Sequence, residues 1–327
     1  MAIEFFTGFE GCNSTEDVLT LLDVTGGSVR YQSTGGYDDG KNVGTSNTAG
    51  FIGKNVTPAK TVCTGWHVRS LGTSSYSTST RLNIAYFVGP EIRIVNDPEQ
   101  VEVWVAGVLV GSEAPAIDSA LHHIEVKLFS DAAAGTAQIK LDGTLILDLS
   151  GINTGGDDVT QVCLGQSNVN NRDIYWDNWF IADDFQGELV SHLLIPATDA
   201  AVQFTPSEGT DNYPLLPTND GDASYVQSST VDHQDLYGYS ELPAGLIPRA
   251  ATLVTVPRKE GTGERTFQAR AKQDLTEYAV GEDRTLTVDY PAALGQGLFK
   301  TFGAALDGTP WNRDNLNAVQ WGFKVTG

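Results

Sequence analysis

Apolar and polar residues alternate with a period of two through most of the first half of the chain. In Gln100–Val105 (QVEVWV) the valines take every second position. In His122–Phe129 (HHIEVKLF) Ile124, Val126 and Leu128 do the same. That period places one apolar face on a half-buried strand. Thr61–Ser70, Ser79–Val88, Glu91–Val95, Val108–Val110, Ala137–Leu141, Thr144–Leu149, Val159–Leu164 and Asp173–Ala182 also read as strands. Helical periodicity is confined to Thr15–Leu22 (TEDVLTLL), with acids in its first turn and an apolar stripe behind them.

Turn residues separate the runs: Asn96-Asp97-Pro98, Ala106-Gly107, Ala134-Gly135, Asp142-Gly143 and Gly155-Gly156. Asp-Gly between two apolar runs is the strongest short hairpin signal among them. Many short strands at even spacing predict an antiparallel sandwich. A parallel fold would need crossover helices, and the pattern offers none. After Asp184 the texture changes. Thr205–Tyr239 is rich in Pro, Gly, Asn, Asp and Ser and reads as long ordered loops anchored by Tyr213, Tyr225, Tyr237 and Tyr239. Strand-like runs resume at Ala251–Val256, Arg265–Lys272, Arg284–Val288 and Ala318–Thr326. The expectation is an all-β chain of two domains, residues 1–185 and 186–327, which suits a length of 327 residues.

Charge narrows the partners. Asp and Glu number 41 against 20 Lys and Arg, a formal net charge of −21. Such a surface repels nucleic-acid phosphates and anionic membranes, so neither is expected as a partner. No Lys or Arg occurs from Asp173 to Pro248. That base-free reach, with Asp211, Asp220, Asp222, Asp232 and Asp235, is a candidate docking region for a basic protein surface. Cys12, Cys63 and Cys163 are odd in number and far apart, which predicts unpaired thiols rather than a disulfide frame or a zinc site. The acidic opening MAIEFFTGFEGCNSTED does not read as a signal peptide, and no apolar run is long enough to span a bilayer.

Candidate chemistry is sparse. A retaining glycosidase needs two carboxylates about 5 Å apart. The nearest stretch, Glu91-Ile92-Arg93-Ile94-Val95, has Arg93 where the middle acid would stand, and Glu102 has no acid two residues away. No enzyme activity is expected. Among His67, His122, His123, His192 and His233 there is no metal-protease or hydrolase spacing. His122 and His123 should point to opposite faces of a strand. Calcium is the one candidate ion, since it takes hard oxygens from loops. Its candidate ligands are Asp38 and Asp39 in GYDDG, Asp157 and Asp158 in GGDDV, and Asp220 and Asp222 in NDGDA. A carbohydrate site would draw its platforms from Trp66, Trp104, Trp176, Trp179, Trp311 and Trp321. Trp176 and Trp179 have opposite parity on one strand, so one should face in and the other out.

Three separated segments carry a family resemblance. They are FFTGFEGCNSTEDVLTLLDV, LHHIEVKLFSDAAAGTAQIKLDGTLILDLSGINTGG and the closing DIYWDNWFIAD, with Tyr175, Asp177, Asn178 and Asp183 in the last. In this order they resemble the concanavalin A-like (laminin-G-like) jelly roll of bacteriophage virion proteins, over residues 1–185. The second half is similar to the module that follows this jelly roll in phage structural proteins. There the matching stretches are VQFTPSEGTDNYPLL, DGDASYVQSSTVDHQDLYGYSEL and LDGTPWNRDNLNAVQWGFKVTG. The resemblance implies a structural component of a virion, in a tail, fibre or capsid-bound appendage. It would be made in the host cytoplasm, assembled as a homo-oligomer beside other virion proteins, and would need no cofactor. The alternative within the same resemblance is a host-adsorption module that binds a glycan of the host surface.

Overall fold

The structure is a computed structural model. It describes residues 3–9, 12, 15–34, 37, 41–71, 82–96, 100–113, 118, 120–166, 173–217, 220, 223–259, 264–286 and 298–327. The chain forms two compact units, Met1–Glu10 with Leu22–Ser191 and Gly11–Leu21 with His192–Gly327.

The first unit holds β1 (Ile3–Thr7), β2 (Val24–Gln32), β3 (Asn42–Ala59), β4 (Thr61–Leu71), β5 (Leu82–Val88), β6 (Ile92–Asn96) and β7 (Val101–Val105). β8 (Val108–Glu113), β9 (Leu121–Phe129), β10 (Gly135–Leu141), β11 (Thr144–Ile152), β12 (Val159–Gln166) and β13 (Asp173–Ala182) complete it. Every pairing is antiparallel, in the order β11-β10-β9-β4-β13-β3-β12-β5-β6-β7-β8, with β1 on β13 and β2 on β3. The two ends of this path come back together. β8 packs on β11, and a Cβ on Gly111 would lie 2.3 Å from Leu149 Cδ1. The sheet therefore closes on itself as a two-layered sandwich, consistent with a jelly-roll or lectin-like fold. Alternate residues fill the interior: Val62, Thr64, Trp66 and Val68 from β4, Ile124, Val126 and Leu128 from β9, Ile92 and Ile94 from β6, Val101, Val103 and Val105 from β7. Burial of these side chains is the main stabilising term, at roughly 1.5–3 kcal/mol for each large one. The Asp-Gly hairpin forms as expected. Asp142 (φ 50°) and Gly143 (φ 79°) make the two-residue turn between β10 and β11, and Ala106 (φ 46°) leads the equivalent turn between β7 and β8.

Two readings of the sequence change. β1, β2 and β3 are strands that the alternation did not reveal. Trp176 and Trp179 are both fully buried. The register of β13 against β4 shifts between Asp177 and Phe180, and Asn178 there has φ 48°. This bulge adds a residue to one strand and resets the parity, so Trp179 turns inward and donates its indole N–H to Thr64 Oγ1 at 2.9 Å.

The second unit holds α1 (Thr15–Leu21), β14 (Pro196–Ala201), β15 (Thr205–Pro206), β16 (Val226–Gln227), β17 (Gln234–Tyr239), β18 (Ala251–Val254), β19 (Arg265–Gln273) and β20 (Thr276–Leu286). β21 (Leu298–Phe302), α2 (Arg313–Ala318) and β22 (Gln320–Val325) follow. A five-stranded sheet, β14-β17-β22-β19-β20, is joined by the pairs β15-β16 and β18-β21. Its core gathers Leu242, Leu253, Ala269, Ala271, Val280, Trp311 and Trp321. The stretch expected to be loop thus contains a central strand, β17. Asp235 within it is no docking group: it is fully buried and accepts from the N–H groups of Gln203 and Phe204, from Asn212 and from the Tyr237 hydroxyl. With four donors on it, the carboxylate pins the 203–212 loop to the sheet.

Candidate functional site

The outward face of the β5–β8 region carries an aligned row. Tyr86 on β5 stands opposite Arg93 on β6, Arg93 opposite Trp104 on β7, and Trp104 opposite Leu109 on β8. The inward neighbours of these residues, Phe87, Ile92, Ile94, Val103 and Val105, fill the core, so the pleat forces the row outward. Arg93 is exposed, Tyr86 and Trp104 are half-buried, and Leu109 is 41% exposed. The Arg93 guanidinium sits over the Tyr86 ring, 5.4 Å from its centroid, a cation–π contact that leaves its N–H donors free to turn outward.

One row further along the same face lie Val95 and, opposite it, Glu102. Glu102 is 1% exposed. Its Oε2 accepts from Trp104 Nε1 at 2.7 Å and its Oε1 from Gln100 Nε2 at 3.2 Å. The carboxylate is thereby committed to orienting the indole. Among the described residues of these two rows it is the one acid. Glu91 sits in the exposed β5–β6 turn with φ 55°. Cys163 and Tyr86 are paired across β12 and β5. Burial pushes the Cys163 thiol up to about 11, so it stays protonated. All three cysteines are buried and none is in a disulfide.

A second polar cluster lies on the outward face of β4, β9 and β13, under the segment 183–191. His67 and His123 stand opposite each other with ring centroids 5.1 Å apart. His67 Nε2 meets Glu188 Oε1 at 3.0 Å, and its Nδ1 meets Asn178 Nδ2 at 3.3 Å. Glu125, fully buried, accepts the N–H groups of Gln186 and Gly187 at 2.8 and 3.0 Å through Oε1. Lys127 pairs with Asp184, and Lys127 and Lys140 both lie over the Phe185 ring. Burial lowers the pKa of His67 and takes that of His123 down to about 4, so His123 is neutral at physiological pH. Its neighbour His122 points the other way. Partial burial opposes charge on it, but its bonds to Asp142 (2.7 Å) and Asp118 (2.9 Å) win and raise its pKa. The opposite orientations expected of this pair are thus realised. Tyr175, Asp177 and Asn178 of the closing motif are buried, the last two at the bulge beneath this cluster, while Asp183 is exposed. The cluster is roofed by the segment 183–191, whereas Arg93 and Leu109 of the β5–β8 row are exposed.

The described calcium candidates, Asp157, Asp158 and Asp220, do not form one group. Asp157 and Asp158 are exposed, and Asp158 pairs with Lys60 at 3.1 Å. Asp220 accepts from the N–H and hydroxyl of Ser224. Asp38, Asp39 and Asp222 lie outside the described residues. Among the described residues no three His, Cys, Asp or Glu side chains form a group able to hold a metal, and no helix is long and apolar enough to cross a membrane. The sequence offered Trp104 only as one of six tryptophans, gave no sign of Tyr86 or Gln100, and showed Arg93 only as a lost acid. The signal that joins them is the strand register, which the lengths of the intervening turns set.

No family model matches the chain. A search of curated proteins also finds no match. Solved structures with a similar fold include a cellulose-induced protein, Cip1, at TM-score 0.45 and 13% identity, over 56% of this chain and 99% of that one. A GH131 β-glucanase catalytic domain from Podospora anserina aligns at TM-score 0.39 and 13% identity, over 57% and 98%. The carbohydrate recognition domain of Emp46p in its metal-free form aligns at 0.36 and 10%, over 54% and 97%. At these scores the likeness carries no residue-level correspondence.

Proposed function

We propose that the first unit is a glycan-binding module of the concanavalin A-like type, and that it serves host adsorption in a phage tail or fibre. The observation that carries the glycan reading is the setting of Trp104. The other five tryptophans are buried, whereas Trp104 is reached by solvent and is aligned with Tyr86 and Arg93. Apolar faces of sugar rings stack on aromatic side chains, and their hydroxyls accept from donors such as a guanidinium. The module binds without cleaving. Supporting this is Glu102, whose two oxygens are taken by Trp104 and Gln100 and whose nearest row-mates are not acids. Placement in a virion, beside other virion proteins and as a homo-oligomer, rests on the sequence resemblance alone. Repetition of a weak site in an oligomer would raise avidity at a host surface.

An array of bacterial capsular and O-antigen polysaccharides tests the reading. The intact protein should be retained on at least one of them. Trp104→Ala should lose about tenfold or more in affinity. Leu275→Ser, at a hairpin tip of the second unit that is 96% exposed, should bind as the wild type does. Capture on none of the polysaccharides, or equal capture of Trp104→Ala, would overturn it.

A further inference from the structure

We infer, on the reading that this face binds glycan, that the ligand runs across the strands and is held as an interior stretch of an extended, unbranched chain rather than by a terminal sugar. The row itself sets the direction. Tyr86, Arg93, Trp104 and Leu109 are direct cross-strand partners on four consecutive strands. Neighbouring strands are about 4.8 Å apart, so Tyr86 and Trp104 are separated by roughly 10 Å and Tyr86 and Leu109 by roughly 14 Å. One sugar ring can stack on one of these aromatics but cannot span both. An extended chain of about three rings can lie along the row, with its middle ring over the Arg93 donors.

The margins of the row favour a chain that passes through. β8 ends the hydrogen-bonded path at one side of the row. Leu109 on that edge is 41% exposed, which carries the apolar strip onto the last strand. The two turns bordering the row at one end of the strands are short, with Glu91 in one and Ala106-Gly107 in the other. A terminal-sugar site needs the reverse: a pocket that closes on one ring and reads its free end. The Glu102 bonds to Trp104 and Gln100 lie along the strand direction, so they hold the indole beside the chain path without blocking it. Glu102 is in this sense a positioning residue.

The test uses the intact protein and the polysaccharide it retains most strongly on the array. Partial acid hydrolysis of that polysaccharide gives a size-fractionated ladder, and borohydride reduction of the ladder alters the reducing end. Isothermal titration should show affinity rising about tenfold or more from the single sugar to three or four residues, then levelling. Reduction of the end should change nothing for the longer members. Leu109→Ala and Tyr86→Ala should remove most of the gain with length. Full affinity for the single sugar, or loss of binding on end reduction, would overturn the interior mode while leaving glycan binding intact. Retention of no polysaccharide at all would overturn both.

Discussion

At the scale of single residues, the two adjacent histidines of β9 respond to pH in opposite senses. His123 is buried and 6% exposed, its pKa taken down to about 4 by burial and by the nearby His67. In the unfolded chain it would titrate near 6.5. Between those values the unfolded state binds the extra proton, so stability is lost as pH falls from about 6.5 toward 4, by something on the order of 2–3 kcal/mol for this residue. His67 is shifted in the same direction by burial, with Glu188 opposing the shift. His122 is shifted upward, so its contribution is present at low pH and lost as pH rises through its folded value. Glu188, Asp142, Asp177 and Glu125 also face this cluster, so the wild-type slope alone is not diagnostic. Comparison of wild type with His123→Gln isolates the residue. The difference in urea-unfolding free energy between pH 7 and 4.5 should be smaller in the variant. Parallel pH profiles would show that His123 is not the neutral buried group described. The same environment explains why this cluster was illegible in the sequence. Glu125 reads as the solvated side of an alternating strand, yet residues 183–191 cover it and supply two N–H donors.

At the scale of elements, β4 through β13 were legible because one face of each is apolar at every second residue. β3 was not. Its sequence NVGTSNTAGFIGKNVTPA has few apolar residues and no run of alternation; Val43, Ile52 and Val56 are buried, and the strand pairs with β2, β12 and β13. β17 was hidden for a related reason: Asp235 looks like a surface acid until its four donors are in place. α2 is six residues long and is capped by Asn312 and Asn315, a box that lacks the usual Ser/Thr and Glu. The bulge in β13 is the clearest failure of parity, and it has a consequence. Deleting Asn178 would return Trp179 to the outward face and leave its place in the core empty, a loss comparable to Trp→Ala at about 3–5 kcal/mol. Asn178→Gly keeps the bulge and the positive φ but loses the bonds to His67 and to the Ser191 N–H, at a cost of about 1–2 kcal/mol. Near-UV circular dichroism and urea unfolding would rank them. A deletion variant as stable as Asn178→Gly would contradict the account of the bulge.

For the whole molecule, the net charge of −21 and the base-free reach from Asp173 to Pro248 were evident from composition, but their use was not. Asp235 is structural, and Asp232 pairs with Lys324 at 2.7 Å. All four described acids of the five singled out for docking are therefore engaged within the second unit, since Asp220 accepts from Ser224 and Asp211 from Thr210. The glycan reading instead concentrates on one small face of the first unit, and the tryptophans give direct optical access to it. Trp66, Trp176, Trp179, Trp311 and Trp321 are buried, so an aqueous quencher such as acrylamide should act almost entirely on Trp104. The decisive measurement is quenching of tryptophan fluorescence with and without the polysaccharide retained on the array, in wild type and in Trp104→Phe. Wild type should be quenched when free and protected when the polysaccharide is bound. Trp104→Phe should show little quenching in either state. Quenching of the wild type that is unchanged under saturating polysaccharide would place the ligand elsewhere and contradict the claim that this row is the site.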